Sequence, residues 1–418
     1  FYMTSFTELY NRLLKAALGN SLSDEVEKIQ QEKYDAYQLD CLLNPKNHPA
    51  IIRIGECDCD ETQKNACAAK CLFDSLYKDE NGNISVNMDL CVGCGDCIEN
   101  CHAKKLVDNK DVIATLEAVK NAKGPVYAMI APAFVNQYSA EISPSKLRAA
   151  FKRLGFTGMV EVALFADILT LKEALEFDKN IVDEKDYQLT SCCCPMWIAM
   201  IRRVYKELVP HVPGSVSPMV ACGRSIKALY PNALTVFIGP CIAKKSEARE
   251  KDICDAVDHV LTFQEMRDIF EFAGINPADM PDDARDHSSR AGRIYAATGG
   301  VSEAVQSTVK RLNPERKIAV NAVQADGVPA CKAMLNDLMN GKVSANFIEG
   351  MGCVGGCVGG PKILIPKEEG RKNVYEYGKA AEFETPIDNP YVIELLNRLG
   401  FDTVENLLEN SDIFTRHF

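Results

Sequence analysis

Eighteen cysteines in 418 residues, most of them in short and regularly spaced groups, constrain this chain more than any other feature. Thiols in such number serve disulfides, zinc or iron–sulfur clusters. Disulfide frameworks belong to small secreted chains. This chain is long enough for two or three domains around a sizeable core, and no charged-then-apolar leader opens it. Zinc sites usually mix histidine into their four ligands, but only six histidines are present and none lies at zinc-ligand spacing from a cysteine pair. Iron–sulfur clusters use thiolates almost exclusively. Free thiols in this number predict a reducing compartment, the cytoplasm, and an anaerobic setting.

The remaining composition mostly excludes. Hydrophobic residues make up 47% and charged residues 25%, as in ordinary globular proteins. No apolar run reaches the length of a membrane span. The formal net charge of −11 argues against nucleic acid and anionic membranes as partners, since both select basic surfaces.

Four segments follow from patterning. Residues 1–50 form an N-terminal helical segment, in which Phe6, Leu9, Leu13, Leu14 and Ala17 recur at helical spacing. Residues 51–110 are cysteine-dense and broken by Asp, Asn and Gly. Residues 111–365 begin with a connector helix and then alternate. Apolar runs suited to buried strands occur at 126–131, 158–163, 234–238, 294–297, 318–323 and 346–348. Helical patterns at 144–154, 168–177, 196–208, 263–273 and 301–312 lie between them. Strands separated by helices predict an α/β domain with parallel sheets flanked by helices. Residues 366–418 read as a C-terminal extension of surface-packing helices.

Within the cysteine-dense segment, Cys91-x-x-Cys94-x-x-Cys97-x-x-x-Cys101 is a bacterial ferredoxin run, in which three thiolates hold one cubane and the fourth ligates its neighbour. His102 stands where proline normally follows. Four more thiolates lie upstream: Cys57 and Cys59, one residue apart, then Cys67 and Cys71 at the usual spacing. By analogy with ferredoxins, Cys57, Cys59 and Cys67 pair with Cys101, and Cys91, Cys94 and Cys97 pair with Cys71. A small ferredoxin-like 2[4Fe-4S] domain over 51–110 is the expectation, and its use is to pass single electrons inward.

The large segment carries three further cysteine motifs. Thr190-Ser191-Cys192-Cys193-Cys194-Pro195-Met196-Trp197 opens a helix; Pro240-Cys241-Ile242-Ala243-Lys244-Lys245-Ser246-Glu247 follows the run at 234–238; Gly350-Met351-Gly352-Cys353-Val354-Gly355-Gly356-Cys357-Val358-Gly359-Gly360-Pro361 follows the run at 346–348. The last two sit just past strand ends, where open α/β sheets place ligand sites. Each alone has a plain reading, as buried small thiols, a helix start or a tight loop. Together they offer four thiolates with glycines that admit a bulky ligand, and a lysine one helical turn from Cys241.

In order and spacing, the three motifs resemble the signatures of the catalytic domain of iron-only ([FeFe]) hydrogenases, and the three-cysteine first motif resembles the clostridial group B branch. The likeness spans about residues 50 to 365. It implies a reversible conversion of protons and electrons into dihydrogen at an H-cluster, a [4Fe-4S] cubane joined through one cysteine to a diiron unit with CO, CN and a bridging dithiolate amine. Carried over, Cys194, Cys241, Cys353 and Cys357 are the cubane ligands, with Cys357 bridging. Cys193 matches the proton-relay thiol, Lys244 a donor to a cyanide, Met351 a residue lining the pocket, and Ala131-Pro132 a segment touching the second cyanide. Glu173 and Glu176, one turn apart, match relay carboxylates, and Glu247 is a third candidate. A ferredoxin-type electron carrier, docking near Lys104-Lys105, and maturation proteins for the diiron unit are the implied partners.

Several positions depart from better-known members. Gly239 stands where methionine precedes the second motif, Ala133 replaces a small hydroxyl residue, and Pro361-Lys362 follow Gly360. Ser215 and Ser217 cannot be aligned as a relay serine. Such positions tune a metal site without removing its ligands. Alternative readings are a hydrogen-sensing homologue, a cubane-binding assembly protein and an electron-transfer protein. Cys41, Cys192, Cys222, Cys254 and Cys331 read as packed thiols.

Overall fold

The computed structural model describes residues 3–190 and 193–418; Ser191 and Cys192 of the first motif lie outside the described residues. The chain opens with the helices Phe6–Leu18, Leu22–Gln30 and Ala36–Leu43. Ser5 caps the first by accepting from Glu8 N, and the residues that recur at helical spacing form its buried face. That face joins the main core, and Tyr10 donates to Asp268 at 3.0 Å.

The cysteine-dense segment is built on short strands: β1 (Ile51–Arg53), the hairpin β2 (Leu76–Lys78) and β3 (Ile84–Val86), and β4 (Leu106–Asp108). β1 and β4 pair antiparallel and bring the ends of the segment together. The hairpin turn is set by Asp79, whose Oδ1 accepts from the backbone of Asn81 and Asn83.

Past the connector helix Val112–Asn121 come seven strands: β5 (Val126–Ile130), β6 (Gly158–Glu161), β7 (Gln188–Leu189), β8 (Leu234–Gly239), β9 (His259–Thr262), β10 (Ala322–Asp326) and β11 (Phe347–Met351). They form two parallel sheets, of order β6-β5-β8-β9 and β10-β11-β7. β5 and β8 are buried almost throughout, as strands covered on both faces must be. In the larger sheet the strand order reverses between β5 and β8, which opens a crevice at their carboxyl ends.

The run at 294–297 is not a strand. It is a tight 3₁₀ turn, Ile294–Ala296, between helices Arg290–Arg293 and Gly300–Leu312. A Cβ on Gly292 would lie 2.0 Å from the Ala163 carbonyl, so backbones meet there too closely for a sheet to intervene. The ladder expected from 318 begins only at Ala322. The helix expected over 196–208 stops at Arg203 and continues as the 3₁₀ segment Lys206–His211, which contains Pro210. Patterning missed β9 and the helices Pro218–Leu229 and Val328–Met339. The tail is more than surface packing: Val392, Leu407 and Phe414 are buried in the main core, and Arg416 pairs with Glu250 and Asp252.

The first and third motifs are locked together by one close approach. Trp197 is buried and donates from Nε1 to the Thr190 carbonyl at 3.0 Å. Its ring lies where a Cβ on Gly350 would fall, at 2.0 Å, so only glycine lets β11 pass beneath it.

Candidate metal centre

The motif cysteines converge because both parallel sheets end at the same place. Ala131 and Pro132 follow β5, Pro240 and Cys241 follow β8, Met351 to Cys353 follow β11, and Cys193 and Cys194 lie beyond β7. Cys193, Cys194, Cys241, Cys353 and Cys357 line one cavity with Ala131, Pro132, Met351 and Lys244. Lys244 is the one charged side chain among its described lining residues. Gly356, at φ +86°, turns the chain so that Cys357 faces this space; a Cβ there would sit 2.7 Å from Thr298 N.

The donor set fits an iron–sulfur cluster. Burial, then repulsion from Cys194, pushes the Cys241 thiol up to about 12, and burial with repulsion from Cys194 raises Cys357 to about 11. Cys353 is driven well above the ordinary range by burial and by its thiol neighbours. Buried thiols that raise one another hold negative charge poorly alone and well around a cationic iron core, because metal binding replaces the protons. The Gly352 N–H donates to Cys194 Sγ at 3.2 Å, an amide-to-sulfur bond suited to a thiolate. Among the described residues no three His, Cys, Asp or Glu side chains gather closely enough for a single ion; the thiols border a space.

The adjacent lysines divide their work. Lys244 Nζ donates to Glu247 Oε2 at 2.6 Å in a pair that is almost fully buried. Burial alone would lower Lys244, but Glu247 and then Cys241 and Cys357 hold its ammonium above the usual value. Lys245 faces the opposite way and anchors the scaffold, donating to Glu265 at 2.8 Å and the Asn109 carbonyl at 2.7 Å.

Cys193 Sγ lies 4.0 Å from Met351 Sδ at the cavity wall. Glu173 and Glu176 sit on the helix Ala163–Asn180, which extends past both ends of the expected run. Neither is on a solvated face. Glu173 is 2% exposed, and Glu176 pairs with Lys172 while burial raises its carboxyl above the ordinary range. Ser215 is buried and Ser217 caps Pro218–Leu229. Glu247 does not line the cavity itself; it pairs with Lys244, which does.

In the cysteine-dense segment a cavity of about 330 Å³ is lined by Cys67, Cys71, Cys91, Cys94 and Cys97, and also by Met196 of the first motif. The thiols repel one another. Burial and then Cys101, Cys57 and Cys59 raise Cys67. Burial and then Cys94, Cys91, Cys71 and, least of these, Cys67 raise Cys97. Backbone amides of Ser75 and Lys105 donate to Cys71 and Cys101. The spacing of Cys57 and Cys59 is accommodated by Asn83 in the hairpin turn, which accepts from Cys57 N at 2.7 Å. Cys353 is also raised, last after burial and its motif neighbours, by Cys94 of this segment.

Sequence reasoning missed Met219, Phe237 and Tyr295, which also line the large cavity. No spacing rule marks them. It also missed Glu349, buried in β11, which accepts from Gly299 N, Ser302 N and Ser302 Oγ and so fixes the third motif to the helix Gly300–Leu312. A carboxylate inside an apolar strand run was the available signal, since a buried charge demands partners.

Comparison with known proteins follows the same lines. The family model for the iron only hydrogenase large subunit, C-terminal domain, matches residues 124–361. Iron hydrogenase 1 of Clostridium pasteurianum is 28% identical over 285 residues, covering 58% of this chain; the chain spans about half (50%) of that relative's length. Cytosolic iron-sulfur assembly component 3 of Bos taurus is 22% identical, over 75% of this chain and 80% of its own. The [FeFe]-hydrogenase HydA1 from Chlamydomonas reinhardtii shares the fold, with a TM-score of 0.60 at 22% identity over 74% of this chain and 98% of its own.

Proposed function

The chain belongs to the family of iron-only hydrogenase large subunits, and on that premise we propose that it is a [FeFe] hydrogenase of the group B kind, interconverting protons, electrons and dihydrogen. The observation that carries this reading is the gathering of four cluster-competent thiols, Cys193, Met351 and Lys244 around one apolar cavity at the ends of two parallel sheets. When bound, a [4Fe-4S] cubane with a diiron unit would supply the two-electron chemistry of dihydrogen. Cys194, Cys241, Cys353 and Cys357 would hold it. Lys244, kept charged by Glu247, presents donors to an anionic ligand. The cavity walls exclude water and leave protons to enter by side-chain relay. Cys193 exchanges a proton at its Sγ, and Glu173 and Glu176 take it toward the surface.

The segment 51–110 acts as the ferredoxin-like 2[4Fe-4S] electron inlet, with Cys57, Cys59, Cys67 and Cys101 around one cluster and Cys71, Cys91, Cys94 and Cys97 around the other. The repulsion patterns support this partition, and the influence of Cys94 on Cys353 supports the second group as the inner one. Residues 1–50, 111–365 and 366–418 are read as helical packing segment, catalytic unit and C-terminal extension. A ferredoxin-type carrier is the electron partner, and maturation proteins supply the diiron unit. Among the described residues no helix is long and apolar enough to cross a membrane, and the unprotected thiols favour the cytoplasm. A second reading, a cubane-binding assembly protein, draws on the 80% of the assembly component's length that the chain covers.

The test is dihydrogen evolution from a reduced low-potential dye, by protein matured anaerobically and by protein made without maturation proteins. Turnover in the matured protein alone is expected. No turnover from matured protein with all its cubanes present favours the assembly reading.

A further inference from the structure

A polar cavity of about 450 Å³, separate in its lining from the cysteine-lined one, opens to the surface beside Glu176, Gln188, His211 and Gly214. Two of its lining residues carry buried polar atoms that the protein does not satisfy. Gln188 is 3% exposed, and neither its Oε1 nor its Nε2 has a protein partner. Glu176 pairs through one oxygen with Lys172 while Oε2 has no partner. In folded proteins nearly all such atoms find a partner in protein or ordered water. A roomy polar cavity is where water serves that purpose.

The placement follows from the fold. Gln188 lies in β7, paired with Phe347, and Thr190 continues the same extended run, so the two side chains share one face. Cys193 lies three residues beyond Thr190 in the sequence. Glu176 approaches from the helix Ala163–Asn180. At the rim the His211 ring stacks on Tyr187 at 4.0 Å and 19°.

We propose that Gln188 and Glu176 form the water-holding mouth through which protons reach Cys193, which makes Gln188 a positioning residue for the reaction proposed above; the inference rests on that reading. The amide is neutral and offers donors and an acceptor at once, so it orients water between the surface and Glu176 without trapping the proton.

The test compares Gln188→Leu, which keeps the bulk and removes the polarity, with Gln188→Ser, which is small and leaves room for water, in the matured holoenzyme. Gln188→Leu is expected to lower dihydrogen turnover about tenfold and to enlarge the H₂O/D₂O isotope effect, with the infrared bands of the resting enzyme unchanged. Gln188→Ser is expected to stay within about twofold of the parent on the same scale. Equal losses in both variants, or a parental rate and isotope effect in Gln188→Leu, overturn the proposal. A high-resolution crystal structure of the cubane-loaded protein decides independently of turnover and of how the variants fold. Ordered water bridging the Gln188 amide and Glu176 Oε2 is expected, and protein partners on both amide atoms with no such water overturn the mouth. If the parental holoenzyme turns over no hydrogen, the hydrogenase reading fails while the crystallographic result still judges the mouth.

Discussion

At the scale of single residues, the proposed proton relay starts from Cys193, which lines the cavity beside Cys194 and against Met351. Cys193→Ala is expected to cost about 10² to 10⁴ in turnover, the usual range for a general acid or base, with iron and sulfide content unchanged. Full turnover in that variant would remove the relay role. Glu247 holds Lys244 in a pair whose members are 3% and 8% exposed. Glu247→Leu leaves an uncompensated buried ammonium, and a loss of about 3–5 kcal/mol in denaturant unfolding of the cubane-loaded protein is expected. A loss within about 0.5 kcal/mol would mean that the pair is solvated. The cluster thiols were legible because ligation imposes spacing. Tyr295, Met219 and Phe237 were not, because a wall contact imposes none. Glu247 was ambiguous for a related reason: a carboxylate three residues from a lysine reads equally as relay or as counter-ion.

At the scale of elements, position depends on a few close contacts and clamps. Gly350 lies under Trp197, so Gly350→Ala forces the helix Pro195–Arg203 away from β11. A loss of about 1–3 kcal/mol is expected from such overpacking, measured by chemical denaturation; an unchanged midpoint would mean that the contact yields without cost. The cysteine-dense segment is tied to the third motif's end by Asp108 of β4, which meets Lys362 at 2.6 Å and Lys110 at 2.9 Å. Burial alone would raise the Asp108 carboxyl, but Lys110 and Lys362 hold it well below the ordinary value of 3.8. A depressed folded value contributes stability above the unfolded value and loses it as pH falls. The melting difference between the parent and Asp108→Asn is therefore expected to hold near neutrality and to shrink below about pH 4. A difference independent of pH would exclude the charge as its source. Strands β5, β8 and β11 were legible because burial on both faces leaves continuous apolar runs. The run at 294–297 has the same look and fails, because its neighbours Gly292 and Gly300 pack helix against helix. β9 and the helices Pro218–Leu229 and Val328–Met339 carry cysteines or mixed faces that patterning alone did not separate from loop.

At the scale of the whole molecule, the fold gathers the motif cysteines around one apolar cavity at the ends of two parallel sheets. Class and order of parts were legible because alternating strands and helices admit few arrangements. The joining of the N-terminal helices and the tail into one core was not, since patterning shows that a face is apolar and not what covers it. If the inner cluster feeds the cavity, Cys97→Ala is expected to lower turnover with a ferredoxin-type carrier while leaving the occupancy of the active-site cubane unchanged. Undiminished carrier-linked turnover would mean that electrons enter elsewhere. The central claim, a diiron site held by Cys194, Cys241, Cys353 and Cys357, is tested most directly by infrared spectroscopy of anaerobically matured protein before and after exposure to hydrogen. Metal carbonyl and cyanide bands that shift under hydrogen are expected. Their absence from verified, matured protein with its cubanes intact would contradict the claim and leave an iron–sulfur assembly or electron-transfer protein.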